Sequence, residues 1–433
     1  MFKERLAAAE KDVLVSMVKI AQQRLMEGSK GVWQVFLNEH ERKIGAGISD
    51  PSKRSVDVLA SFLETFADPE AEAKFLEKVL ECHSNREAVF ELIQNSTTDR
   101  EKLVRLSYEN PDYSSSYSFK SYEEDWVVTS MGDMSKSNEI LAVDCEMVEC
   151  EDGTEPVVKV CVVDENLKVK LNKLVNPNKP VKDYRTEITG ITAEDLEGVT
   201  CSLADVQKSL EKLLSDGTIL VGHSLDCDLK ALKLDHGRVI DTSLVFRRAD
   251  GKRTSLSDLC KVVLKRDVRE EGAQHNCLDD AGAAMKLVKN VLEKGYDEAM
   301  KVFRDYLSKQ LFLYRIPVDL SEDELRAIVP MDSAVVLKLR YQQRAKTYSA
   351  TAFFKDQDEA NYTFQSIECE EAKDTNGLQQ KLILDQPKNE KCASGCIHVR
   401  KMVRDDDSPV PDSSLRKRQI KESCRTQQRR AAE

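Results

Sequence analysis

Long hydrophobic runs are absent from this chain of 433 residues. The N-terminal segment MFKERLAAAEKD mixes charged and apolar residues, and the apolar runs elsewhere are of strand length. A secretory signal needs a continuous apolar core, and a membrane helix needs about 20 predominantly apolar residues. The sequence therefore predicts that the protein has neither segment. We expect the protein to stay inside the cell.

An excess of basic charge is also absent, because the formal net charge is −11. Affinity for phosphate backbones comes mainly from lysine and arginine, so any binding of nucleic acid must be local. The 12 cysteines have no secretory signal beside them and are expected to be reduced thiols. Cys392, Cys396 and His398 lack a second pair that would complete a zinc site, which disfavours zinc.

Hydrophobic periodicity predicts an α/β protein with three folded parts. Helical spacing, as at Leu59, Phe62 and Leu63, predicts a helical N-terminal domain over 1–105. A polar segment rich in serine and tyrosine predicts a linker over 106–137. Strands and then alternating strands and helices predict a mixed sheet flanked by helices over 138–295. The pattern further predicts an α+β domain over 308–404 and a basic, disordered tail over 405–433.

Three separated blocks carry residues with catalytic chemistry. Asp144 and Glu146 follow an apolar strand in LAVDCEMVEC, and the period of two residues places both side chains on one face. Asp228 lies at the start of a helix in LVGHSLDCDLKAL, and His275 precedes Asp280 in HNCLDDAGAAMKL. Four carboxylates in one pocket need cations to offset their repulsion, and oxygen ligands favour Mg²⁺ or Mn²⁺. The blocks together predict a metal-dependent nuclease with histidine as the base.

Each block has a simpler interpretation when it is taken alone. Asp228 resembles a helix-capping residue, and Asp226 competes with it for a catalytic role. Asp279 and Asp280 could simply stabilise a helix N-terminus. The order and spacing of the three blocks favour the catalytic interpretation.

The motifs resemble those of the DEDDh exonucleases, which share the fold of ribonuclease H. AVDCEMV, EITGIT at residues 187–192, LVGHSLDCDL and HNCLDDA are similar to the eukaryotic RNA exonuclease branch. DWVVT, CEDGTEPVVKV and RVIDTSLVF resemble the plant small RNA degrading nucleases. The family pattern places the third acid directly before Leu229, which selects Asp228 over Asp226.

The resemblance implies a 3′-to-5′ exonuclease that uses two Mg²⁺ ions, for which Mn²⁺ can substitute. Asp144, Glu146, Asp228 and Asp280 would ligate the metals, and His275 would take a proton from water. The substrate would be single-stranded RNA with an accessible 3′ end. The products would be nucleoside 5′-monophosphates released from that end. Met147 matches the family residue that packs against the terminal base, although core packing explains it equally well.

The last folded part has the βαββαβ order of an RNA recognition motif. In that fold, aromatic side chains on the central strands stack on unpaired bases. Phe312 in LFLYRI and Tyr348 in KTYSATAFF match two of the stacking positions, whereas Ala350 occupies the third. A domain that serves protein contacts is the alternative.

The sequence thus predicts an RNase H-like exoribonuclease that degrades short single-stranded RNAs, such as microRNAs. A general oligonucleotide or DNA exonuclease is one alternative. An RNA-binding adaptor with an inactive nuclease fold is another, which the presence of all five motif residues disfavours. The basic residues of the tail predict a nuclear location.

Overall fold

The described part of the chain has eight segments. The computed structural model describes residues 2–40, 50–67, 70–129, 139–214, 217–269, 274–341, 346–384 and 396–404. Packing divides these residues into two compact units, one with 2–245 and 274–288 and one with 246–269 and 289–404. The tail predicted over 405–433 and Cys392 lie outside the described residues.

The first unit begins with helices. They are α1 (Phe2–Ala8), α2 (Lys11–Gln23), α3 (Trp33–His40), α4 (Val56–Leu63), α5 (Glu70–Asn95), α6 (Asp99–Glu109) and α7 (Tyr113–Ser116). Their core contains a cluster of aromatic rings, with the ring centroids of Trp33 and Phe62 4.9 Å apart and those of Phe62 and Phe66 5.1 Å apart. The apolar positions at helical spacing therefore face a common interior.

Residues 106–117 do not form a linker, and residues 130–137 of the predicted linker lie outside the described residues. Helix α6 begins at the Thr98 hydroxyl, which accepts a hydrogen bond from the Glu101 N–H at 3.3 Å, and it continues to Glu109. Tyr113 and Tyr117 beyond it are buried. The prediction of a linker over 106–137 was wrong for this part, because its tyrosines pack inward although its composition is polar.

The elements of the central sheet and the helices beside them follow in the same unit. They are β1 (Val127–Val128), β2 (Ile140–Met147), β3 (Glu149–Cys150), β4 (Val157–Asp164), β5 (Val169–Leu174), β6 (Val181–Asp183), α8 (Thr186–Thr189), α9 (Leu203–Leu213), β7 (Ile219–Gly222), α10 (Leu225–Leu232), β8 (Leu234–Asp235), β9 (Val239–Asp241) and α11 (Thr242–Val245).

A mixed five-stranded sheet forms the centre of this unit, in the order β5-β4-β2-β7-β9. Strand β2 is antiparallel to β4 and parallel to β7, and β9 is parallel to β7. Residues 140–143 of β2 and all of β7 are buried, since helices cover the sheet. The prediction of a mixed α/β fold is confirmed.

The remaining elements begin with α12 (Leu256–Leu259), which continues into a π-helical turn at Cys260–Leu264. After them come α13 (Cys277–Lys294), α14 (Tyr296–Ser308), β10 (Gln310–Pro317), α15 (Glu322–Ile328), β11 (Val336–Arg340), β12 (Thr347–Phe353), α16 (Gln357–Ser366), β13 (Glu371–Lys373), β14 (Gln379–Leu384) and β15 (Cys396–Lys401).

The second unit contains an antiparallel sheet in the order β11-β12-β10-β15-β14-β13. Helix α15 starts with a capping box, in which Ser321 and Glu324 satisfy each other's backbone N–H groups. The sequence did not predict β13 and β14, which extend the sheet beyond β15. Leu313, Ile316 and Phe364 are among the residues of the core between the sheet and its helices.

The described residues can be compared with the expectations about membrane helices and cysteines. No helix within the described ranges is long and apolar enough to cross a lipid bilayer. Ten cysteines lie in these ranges, and all of them are free thiols, as predicted.

Candidate active site

Strand β2 presents the first two carboxylates. Asp144 and Glu146 are two residues apart at the end of a buried apolar strand, so the pleat directs both to the same face. Asp144 is paired in register with Cys161 of β4, in the middle of the sheet. Glu146 is 5% exposed. The fold therefore places two acids in a region that excludes most solvent.

Helix α10 supplies the third carboxylate. Asp228 is 4% exposed, whereas its competitor Asp226 is half-buried. The backbone N–H and the thiol of Cys145 donate hydrogen bonds to Asp228, which connects α10 with the middle of β2. Burial raises the pKa of Asp228 to about 8, and those hydrogen bonds from Cys145 oppose the rise.

Helix α13 supplies the fourth carboxylate. Asp280 is buried in its first turn, whereas the adjacent Asp279 is exposed. The Asn276 side chain accepts a hydrogen bond from the Leu278 N–H at 3.1 Å and so caps the start of the helix. Since Asn276 provides the cap, Asp280 is not needed for it.

The four carboxylates interact with one another. Burial raises the pKa of Asp144 well above its usual value, and the negative charges of Asp228, Asp280 and Glu146 raise it further. Side chains from β2, α10 and α13 therefore share one electrostatic environment, although they are far apart in the chain. Such a set ionises fully only when positive charge enters the site.

The donor set fits a hard divalent cation, because all four groups offer carboxylate oxygen. Among the residues that the structure describes, no three His, Cys, Asp or Glu side chains are already arranged to hold an ion. The fit consequently rests on the donor chemistry and on the mutual repulsion that raises the pKa of Asp144.

His275 lies beside the fourth acid. Its Nδ1 atom is 3.2 Å from Asp280 Oδ2, and nearly half of its side-chain surface is exposed. The His275 backbone N–H donates to the Ile188 carbonyl at 2.6 Å, which ties the histidine to the EITGIT segment. A half-exposed imidazole held from one side can exchange protons with a water molecule at the site.

Met147 follows Glu146 and is half-buried at a register shift between β2 and β4. Its contact with a terminal base stays a prediction.

The structure separates the two residues predicted to stack on bases. Phe312 lies on the sheet face opposite the core, with its ring 5.5 Å from Tyr314 and the Lys252 ammonium 4.2 Å from its centroid. Tyr348 is 3% exposed and belongs to the core, where its hydroxyl donates to the Leu320 carbonyl at 3.0 Å. The stacking role predicted for Tyr348 is therefore wrong.

The error is one of strand phase. On β12, Tyr348, Ala350 and Ala352 point to the core, so Ser349 and Thr351 take the opposite face. Ala350 is likewise a core residue rather than the third stacking position.

Sequence reasoning missed some residues of both regions. Tyr314 and His398 continue the Phe312 face, with their rings 4.6 Å apart. Asp241 is a completely buried acid at the end of β9. The available signal for Asp241 was a carboxylate that directly follows the apolar residues Val239 and Ile240.

Comparison with known proteins adds a family context. A family model described as an exonuclease matches residues 141–288, a range that contains all five motif residues. Small RNA degrading nuclease 3 of Arabidopsis thaliana is 43% identical over 461 aligned residues, which cover 100% of this chain and 57% of that protein. Small RNA degrading nuclease 2 of the same plant is 43% identical, with 93% of this chain and 89% of that protein covered. Human RNA exonuclease 5 is 38% identical over 38% of this chain and 21% of its own length.

Proposed function

Because the chain belongs to the family of the small RNA degrading nucleases, as its motifs predicted, we propose that it is a 3′-to-5′ exoribonuclease that degrades short single-stranded RNA. The observation that carries the proposal is the mutual interaction of four carboxylates, of which Glu146, Asp228 and Asp280 are buried, beside a half-exposed histidine. The names of two relatives include small RNA, which supports the substrate class.

Asp144, Glu146, Asp228 and Asp280 would hold the divalent cations, with Mg²⁺ or Mn²⁺ favoured by oxygen donors. When bound, these cations supply positive charge that offsets the charge developing on the phosphate during hydrolysis. Asp144 and Glu146 lie on the central strand β2, whereas Asp228 and Asp280 lie in the first turns of helices α10 and α13. The sheet fixes the first pair, and the helix starts determine where the second pair lies.

His275 acts as the general base. Its Nδ1–H donates to Asp280, which leaves Nε2 as the nitrogen that accepts a proton from water. The water oxygen forms a bond to the terminal phosphorus, and the bond from phosphorus to the 3′ oxygen of the preceding nucleotide breaks. That oxygen takes a proton from solvent, and the products are a nucleoside 5′-monophosphate and RNA shortened by one residue.

The second unit has the strand order of an RNA recognition motif, with β13 and β14 added beside β15. Phe312, Tyr314 and His398 form a row of rings on one face of its sheet. The Lys252 ammonium lies over the first ring. Flat rings next to a cation suit unpaired bases and their phosphates, which supports single-stranded RNA as the ligand. A nuclear location is part of the proposal and is supported by the basic residues after 415.

The test uses a 5′-labelled single-stranded RNA of small-RNA length, with Mg²⁺ or EDTA. The wild-type protein should give a ladder that shortens from the 3′ end, and EDTA or Glu146→Gln should abolish it. A parallel RNA with a blocked 3′ terminus should resist cleavage if the enzyme needs that end. Intact RNA in every lane, with RNA still retained in a gel shift, would support the adaptor alternative instead.

A further inference from the structure

Asp241 is a buried carboxylate that the proposed reaction does not use. It ends β9, and its side chain is completely excluded from solvent. Its Oδ1 atom accepts hydrogen bonds from the Ser224 N–H at 3.0 Å, from the Ser243 N–H at 2.9 Å and from the Ser243 hydroxyl at 2.7 Å. Its Oδ2 atom accepts from the Leu225 N–H at 3.1 Å and from the Tyr117 hydroxyl at 2.9 Å. Both oxygens are thus occupied by donors.

Two of these donors belong to the start of the helix that carries a predicted ligand. The first N–H groups of a helix have no partner within it and normally bond to a side chain at the N-cap. The N-cap of α10 is Ser224, which has φ 56° and whose side chain makes no cap hydrogen bond. Asp241 satisfies these N–H groups from the neighbouring strand, so it fixes where α10 begins.

Asp228 lies in the first turn of the same helix. Since it is only three residues after Leu225, a displacement of the helix start moves its carboxylate by a similar distance. Asp241 is also near enough for its charge to act on Asp228. The position of Asp228 relative to β2 therefore depends on Asp241.

The Tyr117 hydroxyl is held by a stack of rings. Tyr117 and Tyr113 have centroids 4.4 Å apart, and Tyr113 and Tyr108 have centroids 4.2 Å apart. At the far end of the stack, the Tyr108 hydroxyl donates to the Gly237 carbonyl at 2.7 Å. The stack is thereby anchored just before β9, and the geometry delivers one phenol to the carboxylate that ends the strand.

Burial raises the pKa of Tyr117 well above its usual value, and the nearby charge of Asp241 adds to this effect. The phenol therefore remains a donor over the whole range in which enzymes work. A second contact holds the same segment, because the Asn110 side chain donates to the Leu244 carbonyl at 3.0 Å.

We propose that Tyr117 and Asp241 are positioning residues of the nuclease, which set the place of Asp228 by fixing the start of α10. The Tyr117 hydroxyl, which comes from a segment that precedes the catalytic sheet in the chain, then helps to position a residue of the active site. This inference rests on the proposed function and assigns roles to two residues that touch neither RNA nor metal.

The test compares Tyr117→Phe with Tyr108→Phe. Each change removes one buried hydroxyl from the same ring stack, but only Tyr117 contacts Asp241. Four quantities are measured for both: kcat and KM on single-stranded RNA in Mg²⁺, the affinity for Mn²⁺ by calorimetry without RNA, and the temperature of unfolding. Asp241→Asn serves as a third variant, which retains the size of the side chain but replaces one accepting oxygen.

We expect Tyr117→Phe to lower kcat about tenfold with KM nearly unchanged, because misplacement of one catalytic group by a fraction of an ångström costs rate more than binding. Its affinity for Mn²⁺ should fall severalfold. Tyr108→Phe should keep kcat and the affinity for Mn²⁺ within about twofold of the wild-type values. Its unfolding temperature should fall by about as much as that of Tyr117→Phe, because each variant loses one buried hydrogen bond. Asp241→Asn should lose more activity than Tyr117→Phe.

Equal kcat and equal Mn²⁺ affinity for the two tyrosine variants would overturn the inference, since loss of a hydroxyl would then act only on stability. If the wild-type protein binds Mn²⁺ but does not cut RNA, the proposed function fails, and the Mn²⁺ affinities of the two variants still decide the positioning role. If it neither binds Mn²⁺ nor cuts RNA, both proposals are wrong.

Discussion

His275 Nδ1 lies 3.2 Å from Asp280 Oδ2, and this contact joins the candidate base to a candidate metal ligand. The Asp280 side chain is 6% exposed, whereas that of His275 is 47% exposed. The carboxylate is therefore the fixed partner, and it sets the orientation of the imidazole ring.

This arrangement predicts different effects for two changes at His275. His275→Ala removes the base and should lower kcat on single-stranded RNA by a factor of about 10² to 10⁴, which is the usual range for general-base catalysis. His275→Asn retains a hydrogen bond to Asp280 but cannot take the proton from water. Its kcat should therefore fall by about the same factor as that of His275→Ala. Affinity for Mn²⁺ should change little in either variant, since the ligands are carboxylates. Single-turnover cleavage and calorimetry measure the two effects, and a variant that retains full activity would exclude His275 as the base.

The raised pKa of Asp228 has a consequence for stability without metal. Because its pKa in the folded protein is about 8 and the usual value is 3.8, folding favours the protonated form. The contribution of this group to stability is present at low pH and is lost as the pH rises from about 4 to about 8. In EDTA, Asp228→Asn should therefore stabilise the protein at pH 8, by roughly 1 to 3 kcal/mol, and much less at pH 5.

Thermal unfolding at the two pH values measures this effect. Addition of Mn²⁺ should reverse the order of stability, because a bound ion stabilises the wild-type protein more than the variant. A variant that is less stable than wild type at pH 8 in EDTA would show that the buried carboxylate is not under electrostatic strain.

The aromatic face of the second unit leads to a binding prediction. Phe312→Ala should weaken binding of single-stranded RNA by about 1 to 3 kcal/mol, which corresponds to roughly 5-fold to 150-fold in affinity. The measurement requires a Glu146→Gln background, so that the RNA stays intact. Tyr362→Ala is a matched control, because this tyrosine is 75% exposed on α16 and lies away from the row of rings. Equal affinity of the two variants would remove the sheet face from RNA binding.

The D-x-E block was the easiest part to predict, since the alternation of β2 is a local property of the sequence. The meeting of Asp144 with Asp228 and Asp280 is not local. Taken alone, Asp228 could be a helix cap, and Asp280 could stabilise a helix N-terminus through the helix dipole. The family motif decided only between Asp228 and Asp226. The structure now places Asp228 and Asp280 in buried positions next to exposed or half-buried neighbours.

The wrong predictions have physical causes. Tyr348 was assigned to the RNA-facing side because a motif fixes the order of residues but not the phase of the strand, and one residue of shift reverses the face. The segment after 105 was assigned to a linker because serine and tyrosine are common in loops. Its burial comes from ring stacking and from acceptors that lie more than a hundred residues away in the chain, such as Asp241 and the Gly237 carbonyl. Strands β13 and β14 were missed because their pairing, of β13 with β14 and of β14 with β15, is not a local property of the sequence.

The neighbouring residues Arg100 and Glu101 connect the N-terminal helices with the rest of the first unit through ion pairs. Both lie on α6, and each forms an ion pair with the catalytic part of the same unit. The Glu101 and Arg238 side chains are 3% and 5% exposed, whereas those of Arg100 and Glu165 are 32% and 34% exposed. Burial makes loss of one partner costly, because the remaining charge has no solvent to stabilise it.

Glu101→Gln should therefore lower the free energy of unfolding by about 3 to 5 kcal/mol, since Arg238 stays buried without its countercharge. Arg100→Ala should lower it by less than about 1 kcal/mol, because solvent screens the exposed pair. Denaturant unfolding of both variants measures the difference, and the slope with denaturant should be unchanged if the whole unit unfolds cooperatively. Similar small losses for the two variants would mean that α6 is only loosely attached to the sheet. A large loss of unfolding free energy for Glu101→Gln alone would show that contacts with the N-terminal helices stabilise the catalytic sheet. Such contacts also explain how a segment before the nuclease motifs can position Asp228.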